Sequence, residues 1–513
     1  MAKFKTITLL MLLYAAATAN AQTPQERYAA FKQQARQQYE DFRSRANQQY
    51  AGFVKRAWQQ YHSIEAIPEP FEKPVPPVVC PEEDKNRERK DEKKPFEEVV
   101  IVEPPKPQPL PIEPVTPVEP TKPVNPIKPL TETVAIHFFG TEIQCSVTSK
   151  PQFTLPDLSG ESISEAWQQL SDGQCDELLS QCLELRSRHQ LNDWGYILLL
   201  DSISQATTHS SVSRSATASS PNLGEQQKNE ATLLMAWLYC QSGYKMRLAR
   251  ANGHLYMLFA SENTIYKYNY FSLDNERYYP YDGENIDDLY ICDASFPNEQ
   301  SMTLEMSKEP LLTNRKSSLR TLQSEQYGDI KVSTSVNQNL ITFYSYYPTG
   351  SVNGDFGTRW AIYANTPLSE EVRQALYPQL RKLLQGKSKL QATEELLNLV
   401  QTAFVYEYDS IVWGEDRAFF PEETLFYPYA DCEDRAILFS RLVRDLLGMR
   451  VVLLYYPGHL ATAVRFEGEQ PTGDYLQLPD GRYYVADPTY IGAPIGLSMP
   501  QYRDEEINVI VLE

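Results

Sequence analysis

The chain has 513 residues, of which 42% are hydrophobic and 22% charged, and its formal net charge is −19. This length allows two or three domains, and the composition is that of a water-soluble protein. The negative charge argues against general nucleic-acid binding, which relies on basic residues that neutralise phosphates. Beyond the N-terminus, no apolar stretch is long enough to predict a transmembrane helix.

Residues 1–21 have the pattern of a secretory signal peptide. Lys3 and Lys5 precede a short apolar core, and Ala19 and Ala21 fit the small-x-small cleavage rule. We therefore predict cleavage after Ala21 and a periplasmic or secreted mature protein. An odd number of cysteines, seven, predicts at least one free thiol in an exported chain, and Cys432 is the candidate.

Residues 22–66 are predicted to form a helix with an eleven-residue repeat. Successive copies open on a tyrosine, at Tyr28, Tyr39, Tyr50 and Tyr61. Phenylalanine and alanine follow each of the first three tyrosines at helical spacing, which predicts one apolar stripe along the helix. The repeats, 27–61, carry seven basic residues and two acidic ones. We favour self-association as a coiled coil over the alternative, a helix bound to an anionic surface.

Residues 67–131 are predicted to be a proline-rich linker. From Pro111 to Pro129 every third residue is proline, which favours polyproline II because that helix has three residues per turn. The charged stretch 82–94, "EEDKNRERKDEKK", is predicted to be disordered. The linker is therefore expected to act as a semi-rigid spacer between the helix and the globular part.

The rest of the chain is predicted to hold two copies of one α+β module, at 132–300 and 329–513, with a linker at 301–328. The stretch "NEATLLMAWLYC" at 229 resembles "CEDRAILFSRLV" at 432, and "VAIHFFG" at 134 resembles "NLITFYS" at 339. Each copy is expected to begin with a β-hairpin, followed by two helices, one long helix and paired strands.

In the second copy, three residues have the spacing of a thiol triad. Cys432 follows the predicted N-cap Asp431 at the start of a helix, where unpaired N–H groups and the macrodipole favour a thiolate. His459 opens a later strand, and Asp487 ends the next one before Pro488. In such a triad the thiolate attacks an acyl carbon, the imidazole transfers the proton and the carboxylate orients the ring.

The stretches "DCEDRA", "PGHLATAV" and "YYVADPTY" resemble the transglutaminase-like superfamily, in particular its bacterial cysteine proteinases. The resemblance covers about 390–500. It implies a papain-like α+β fold, with a central helix on an antiparallel sheet. It also implies that Cys432 is the nucleophile, His459 the base and acid, and Asp487 the residue that orients the ring. By the same resemblance an oxyanion donor lies upstream of the cysteine, and Gln401 is the candidate.

The first copy lacks the thiol. Asn229 replaces the cysteine, whereas His254 and Asp282 match the histidine and aspartate. Cys240 lies three helical turns further on and cannot substitute. We interpret this copy as degenerate, either packing against its neighbour or binding substrate. No zinc pattern, phosphate-binding glycine loop or EF-hand is present in the sequence, so neither a metal nor a cofactor is expected.

Two functions follow from these observations. The first is an exported thiol-dependent hydrolase of amide bonds in proteins or peptides, a cysteine peptidase or amidase. Transamidation is the variant in which an amine replaces water as the second nucleophile. The second is a non-catalytic oligomeric protein that binds peptides or serves as a scaffold through the same modules. The degenerate first copy and the repeat helix favour the second.

Overall fold

The structure is a computed structural model that describes residues 24–70, 73–99, 102, 132–209, 221–282 and 286–513. The predicted signal peptide and the proline-periodic stretch 111–129 lie outside the described residues. No helix of the described ranges is long and apolar enough to cross a membrane.

Thirteen α-helices occur in the described residues. In chain order they are α1 Pro24–Val54, α2 Glu82–Lys85, α3 Gly160–Leu170, α4 Asp176–Arg188, α5 Asp193–His209, α6 Pro221–Gln241, α7 Gln338–Tyr344, α8 Thr358–Asn365, α9 Glu370–Leu384, α10 Lys389–Thr402, α11 Asp409–Val412, α12 Pro421–Phe426 and α13 Cys432–Leu447. A short 3-10 helix follows at Pro500–Tyr502.

The same part of the chain contains 21 strands. The first twelve are β1 Trp58–His62, β2 Val78–Val79, β3 Glu92–Lys93, β4 Phe96–Glu98, β5 Glu132–Phe138, β6 Thr141–Val147, β7 Met246–Ala251, β8 His254–Ala260, β9 Asn263–Ile265, β10 Phe271–Leu273, β11 Glu276–Pro280 and β12 Asp288–Cys292. The others are β13 Arg320–Gln323, β14 Lys331–Thr334, β15 Gly350–Val352, β16 Val451–Tyr456, β17 His459–Arg465, β18 Asp474–Leu478, β19 Gly481–Ala486, β20 Tyr490–Ile491 and β21 Ile507–Val511.

Two curled sheets packed against helices make the fold α+β, as predicted. The first sheet has the strand order β1-β12-β7-β8-β11-β10, and the second has β3-β18-β19-β17-β16-β21-β4. Five strands follow the same order in both, β12-β7-β8-β11-β10 and β21-β16-β17-β19-β18. The long helix α6 packs on the first sheet, and the long helix α13 packs on the second. This shared topology supports the predicted duplication.

Both central hairpins present a histidine at the same place. In the first module Ala251 pairs with His254, and in the second Tyr456 pairs with His459. Each histidine therefore begins a strand directly after a two-residue turn. The second turn ends at Gly458, which has a positive φ of 70° that glycine adopts without steric cost.

The start of the second module differs from the prediction. "VAIHFFG" lies in strand β5, as expected, whereas "NLITFYS" lies mostly in helix α7. The side chain of Asn337 caps this helix by accepting the N–H of Asn339. Leu340, Ile341 and Phe343 are buried, so burial follows a helical face and the two stretches are similar in composition only.

The repeat segment is helical only as far as Val54, since the end of the third copy and the start of the fourth form strand β1 at the edge of the first sheet. The last helical turns pack on α3. Tyr50 and Ala51 are buried there, and Nε1 of Trp167 donates a hydrogen bond to Asn47 at 3.0 Å. This end of the helix therefore belongs to the first module.

The linker prediction, 67–131, is wrong for residues 73–99, which are among its described residues. Strands β2, β3 and β4 within it pair in parallel with β20, β18 and β21. The charged stretch predicted to be disordered contains α2 and β3, and its last residue, Lys94, is buried 3.9 Å from Asp474. Unpaired backbone groups at the edges of the second sheet explain the pairing of β3 and β4, because such edges accept another strand readily.

The second predicted linker, 301–328, is also packed. Met302 and Leu304 are fully buried, and strand β13 lies inside this range. One hydrophobic core extends through both modules. The two copies are therefore two halves of one folded unit.

Candidate functional site

Cys432 is the first residue of α13, at the predicted helix start. Asp431 is the N-cap, and its carboxylate accepts the N–H of Glu433 at 3.2 Å. Asp434 accepts the N–H of Asp431 at 3.3 Å, which completes a capping box. The side chain of Arg435 donates hydrogen bonds to three backbone carbonyls and fixes the chain before the helix. The thiol is thus held at a rigid helix N-terminus.

His459 and Asp487 form the pair that the sequence predicts. Nε2 of His459 lies 2.9 Å from a carboxylate oxygen of Asp487. The ring is stacked on Tyr502, with centroids 5.2 Å apart and planes 5° from parallel. Because the carboxylate accepts, we assign the proton to Nε2, which leaves Nδ1 as an acceptor. Nδ1 is buried and has no hydrogen-bond partner among the described residues.

Cys432 and His459 line one small cavity of about 30 Å³. Both are buried, and the thiol residue is 4% exposed. No hydrogen bond joins the two side chains, which are both among the described residues. Burial, and after it the carboxylates of Asp431 and Glu433, raises the pKa of the Cys432 thiol well above its usual value. The backbone N–H of Leu460 acts in the opposite direction, but the resting thiol is protonated.

The carboxyl groups beside the thiol are also buried. Burial raises the pKa of Asp431, Glu433 and Asp434, and neighbouring carboxylates raise each pKa further. Burial, followed by Glu433, raises the pKa of Asp409 to about 8. Some of these four carboxyl groups therefore stay protonated near neutral pH, which lessens the negative charge around Cys432.

A buried arginine balances the same carboxylates. Nη2 of Arg359 lies 2.7 Å from Asp416 and 3.4 Å from Glu433. Burial alone would lower the pKa of Arg359, but the carboxylates of Glu433, Asp416 and Glu69 raise it. Oxygen atoms of Asp409, Asp416 and Glu433 lie within 4.8 Å of one another, an arrangement that could hold a hard cation such as Ca²⁺. The sequence predicted no metal, because the spacing of Asp409, Asp416 and Glu433 matches no metal-binding motif.

The oxyanion assignment of Gln401 is wrong. Its side-chain amide is buried and donates to three backbone carbonyls, those of Asp487 at 3.0 Å, Tyr490 at 2.8 Å and Ala493 at 3.2 Å. Its oxygen accepts the N–H of Gly492 at 3.1 Å. A donor that is already saturated cannot stabilise an oxyanion. Gln401 instead fixes the loop that follows Asp487.

In the first module, Asn229 is a structural residue. It lies inside α6, and its side chain accepts the N–H of Leu255 at 2.8 Å and donates to the carbonyl of Gly253 at 3.0 Å. Leu255 corresponds to Leu460, whose N–H acts on the thiol in the second module. The amide therefore replaces the thiol by tying the helix to the turn before His254.

A cavity of about 820 Å³ lies next to this degenerate position. Asp282, the predicted equivalent of the triad aspartate, lines its wall together with Lys228 and Leu255. Its aromatic lining residues are Phe138, Phe139, Trp194, Tyr256, Tyr268, Tyr281 and Tyr346. Neither Asn229 nor His254 lines the cavity.

A segment that the sequence did not predict to be near the site covers the thiol cavity. Pro70 and Pro74 line the cavity with Cys432 and His459. The N–H of Val75 donates to the carbonyl of Gly458, next to His459, at 3.0 Å. Proline-rich composition gave no signal for this contact, because the same composition is typical of free linkers.

The sequence matches no protein-family model. A search of curated proteins also returned no match.

Proposed function

We propose that the protein is a thiol-dependent enzyme that acts on amide bonds of proteins or peptides through Cys432, His459 and Asp487. The observation that carries the proposal is the bond between Nε2 of His459 and Asp487, which leaves Nδ1 bare in the cavity that Cys432 also lines. The resemblance to transglutaminase-like cysteine proteinases points to the same three residues.

The geometry supports the following sequence of steps. Nδ1 of His459 accepts the thiol proton as Sγ of Cys432 attacks the acyl carbon. The C–N bond breaks, the departing amine takes the proton from His459, and a thioester remains on Cys432. Water then releases an acid, or a second amine releases a new amide, with His459 again transferring the proton. Asp487 holds the ring and stabilises its charged form throughout.

The proton transfer explains how a thiol with a raised pKa can react. Burial and nearby carboxylates disfavour an isolated thiolate. In the proposed mechanism the negative charge develops on sulfur only as positive charge develops on His459. The neutral resting pair therefore needs no preformed thiolate, and the N-terminus of α13 favours the charge on sulfur.

Thiol labelling over several hours tests the proposal. We expect a small thiol-directed acylating reagent at neutral pH to modify Cys432 selectively. All seven thiols are buried, and Cys432 is the one to which the proposal assigns a histidine as base. Cys432→Ala should abolish this labelling, and His459→Ala should slow it by roughly 10²–10⁴-fold, since it removes the base. Equally slow labelling of all accessible cysteines, unchanged by His459→Ala, would contradict the proposal.

The cavity of the first module favours a second function, peptide binding without catalysis. Its volume of about 820 Å³ falls in the range of small-molecule sites, about 300–1,000 Å³. Its lining combines aromatic faces with Asp282 and Lys228, groups that suit a ligand with both charges, such as a peptide. This function does not require Cys432.

Fluorescence distinguishes this function from the first. Trp194 lines the cavity, so a bound peptide should change its emission. We expect a panel of acidic, neutral and basic tripeptides to include a binder that Asp282→Asn weakens and Cys432→Ala leaves unchanged. Trp194→Phe should remove the signal, and an emission that no tripeptide alters would contradict peptide binding at this cavity.

A further inference from the structure

We infer that the thiol cleft takes an extended peptide with an acidic side chain followed by prolines, and that the chain's own residues occupy this cleft. The occupying segment, the strap, consists of residues 69–70 and 73–80. This inference rests on the proposed function, because it names the substrate class and the resting regulation of the same site.

The strap contacts the turn that carries His459. The N–H of Val75 donates to the carbonyl of Gly458 at 3.0 Å, and the carbonyl of Val75 accepts the hydroxyl of Tyr406 at 3.1 Å. Both backbone polar groups of Val75 are thus satisfied by the cleft, as those of a bound peptide would be. Gly458 permits this approach, since a Cβ there would lie 2.6 Å from the carbonyl oxygen of Lys73.

The strap continues to the residues that follow Asp487. Val78–Val79 pairs in parallel with Tyr490–Ile491, and the N–H of Cys80 donates to Ile491 at 2.9 Å. The strap therefore runs from the turn before His459 to the strand after Asp487. An extended segment that pairs with backbone at both ends of the triad follows the path expected of a peptide substrate.

Glu69 shows which side chain the cleft selects. Its carboxylate lies 2.6 Å from Arg359 and 2.9 Å from Lys267, and it is 5% exposed. Arg359 also contacts Glu433, the neighbour of Cys432. Lys267 comes from the first module, which gives that module a part in specificity. The acidic side chain is therefore bound by two cations from different modules.

Pro70 and Pro74 close the cleft over the thiol. Both line the small cavity that holds Cys432 and His459, and little room remains for another peptide. A substrate can reach the thiol only after the strap leaves.

The strap is weakly bound for its length. Its four prolines, at 70, 74, 76 and 77, have no N–H to donate. Its strand has two residues, and Val79 is largely exposed. Segments with few backbone hydrogen bonds open at lower free energy than the core around them. The strap can thus leave while the module stays folded.

Alkylation of Cys432 by iodoacetamide, followed by mass spectrometry of the full chain, tests the inference. Glu69→Gln removes the ion pairs with Arg359 and Lys267, and Val75→Pro removes the N–H that binds Gly458. We expect each to speed alkylation by roughly tenfold, the effect of losing one or two hydrogen bonds to a charged or backbone group. Glu65→Gln, a nearby exposed carboxyl group, is the matched control and should leave the rate unchanged.

A peptide in trans tests the substrate class. A synthetic peptide of residues 66–79 should slow alkylation of the Glu69→Gln variant again, and a peptide that carries glutamine in place of Glu69 should do so less well. Five buried cysteines outside the strap, at 145, 175, 182, 240 and 292, report unfolding, since they must stay unlabelled in every variant used. If these cysteines are labelled in the Val75→Pro variant, that variant has unfolded, and the Glu69→Gln variant alone tests the inference.

The outcomes are distinguishable. Unchanged alkylation in Glu69→Gln, or fast alkylation that the peptide does not slow, would overturn the inference and leave the proposed enzyme standing. Conversely, fast alkylation in Glu69→Gln that His459→Ala does not reduce would support the strap and contradict the proposed enzyme.

Discussion

At the scale of single residues, Gln401 shows how a side chain near the site differs from a side chain in it. Its amide lies in a buried position and holds three carbonyls of the segment 487–493. Buried acceptors that lose their donors each cost about 1–3 kcal/mol. The residue therefore affects the triad through the position of Asp487.

Gln401→Ala should destabilise the protein. We expect the free energy of unfolding, measured by urea denaturation, to fall by about 3 kcal/mol, because several buried carbonyls lose their donor. The control is Gln391→Ala, an exposed glutamine on the same helix α10, which should change it by less than about 0.5 kcal/mol. A loss of thiol reactivity at unchanged stability would instead restore the oxyanion role.

Asp487 allows a second test at this scale. Asp487→Asn keeps the shape of the side chain but turns an acceptor into a group that can donate to Nε2 of His459. The ring would then carry its proton on Nδ1 and could not accept the thiol proton. We expect acylation of Cys432 to slow by roughly 10²-fold or more, as for loss of a general base. An unchanged acylation rate would show that the pair does not act on the thiol.

At the scale of elements, equivalent residues of the repeat helix α1 lie in two different environments. Tyr50 is 2% exposed and packs against Trp167 with its ring tilted by 46°, whereas Tyr39, at the same position of the preceding repeat, is 45% exposed. The repeat alone predicts equal roles for both. Contact with α3 distinguishes them, because only the last turns of α1 reach the module.

Tyr50→Ala and Tyr39→Ala should therefore differ in stability. We expect Tyr50→Ala to lower the free energy of unfolding by about 3–5 kcal/mol, as for other large buried aromatic side chains. Tyr39→Ala should change it by less than about 0.5 kcal/mol. Chemical denaturation at several protein concentrations measures both, and a concentration-dependent loss in Tyr39→Ala would support self-association through the exposed part of the stripe.

At the scale of the whole molecule, buried carboxyl groups make stability depend on pH. Burial raises the pKa of Glu422 and of Glu423 to about 7, and that of Asp409 to about 8. The folded state therefore binds more protons than the unfolded state between about pH 4 and pH 8. Such groups stabilise the fold fully below their unfolded pKa and lose that effect as the pH rises through the folded pKa.

The free energy of unfolding should accordingly fall as the pH rises from about 4 to about 8. Asp157 has the opposite effect on stability, because a hydrogen bond with Ser159 lowers its pKa to about 2. This effect is already complete near the lower end of the pH window. Thermal unfolding at pH 5 and pH 8 measures the trend. Asp409→Asn should make the stability depend less on pH. A midpoint of thermal unfolding that rises from pH 5 to pH 8 would contradict the raised pKa values of the buried carboxyl groups.

Local patterns predicted much of the fold and of the candidate site. Asp431 before an apolar periodic run predicts the start of α13, and a Pro-Gly turn before His459 predicts its hairpin. Both depend on neighbouring residues, so short stretches are sufficient. Composition failed where contact partners are distant: residues 73–99 have the composition of a free linker, yet β3 and β4 within them pair with strands 382 to 411 residues away.

The sequence by itself determined the helix start at Cys432, the strand that begins at His459 and the place of Asp487 at the end of the next strand, because helix caps, turns and strand alternation are encoded locally. Only the tertiary structure decided that His459 pairs with Asp487, that Gln401 is saturated and that the strap closes over the thiol. These contacts join residues that are distant in sequence, and they form only when strands add to the edges of the sheets and one core is packed. No local pattern specifies such meetings, since each requires backbone and side-chain groups brought together by the whole fold.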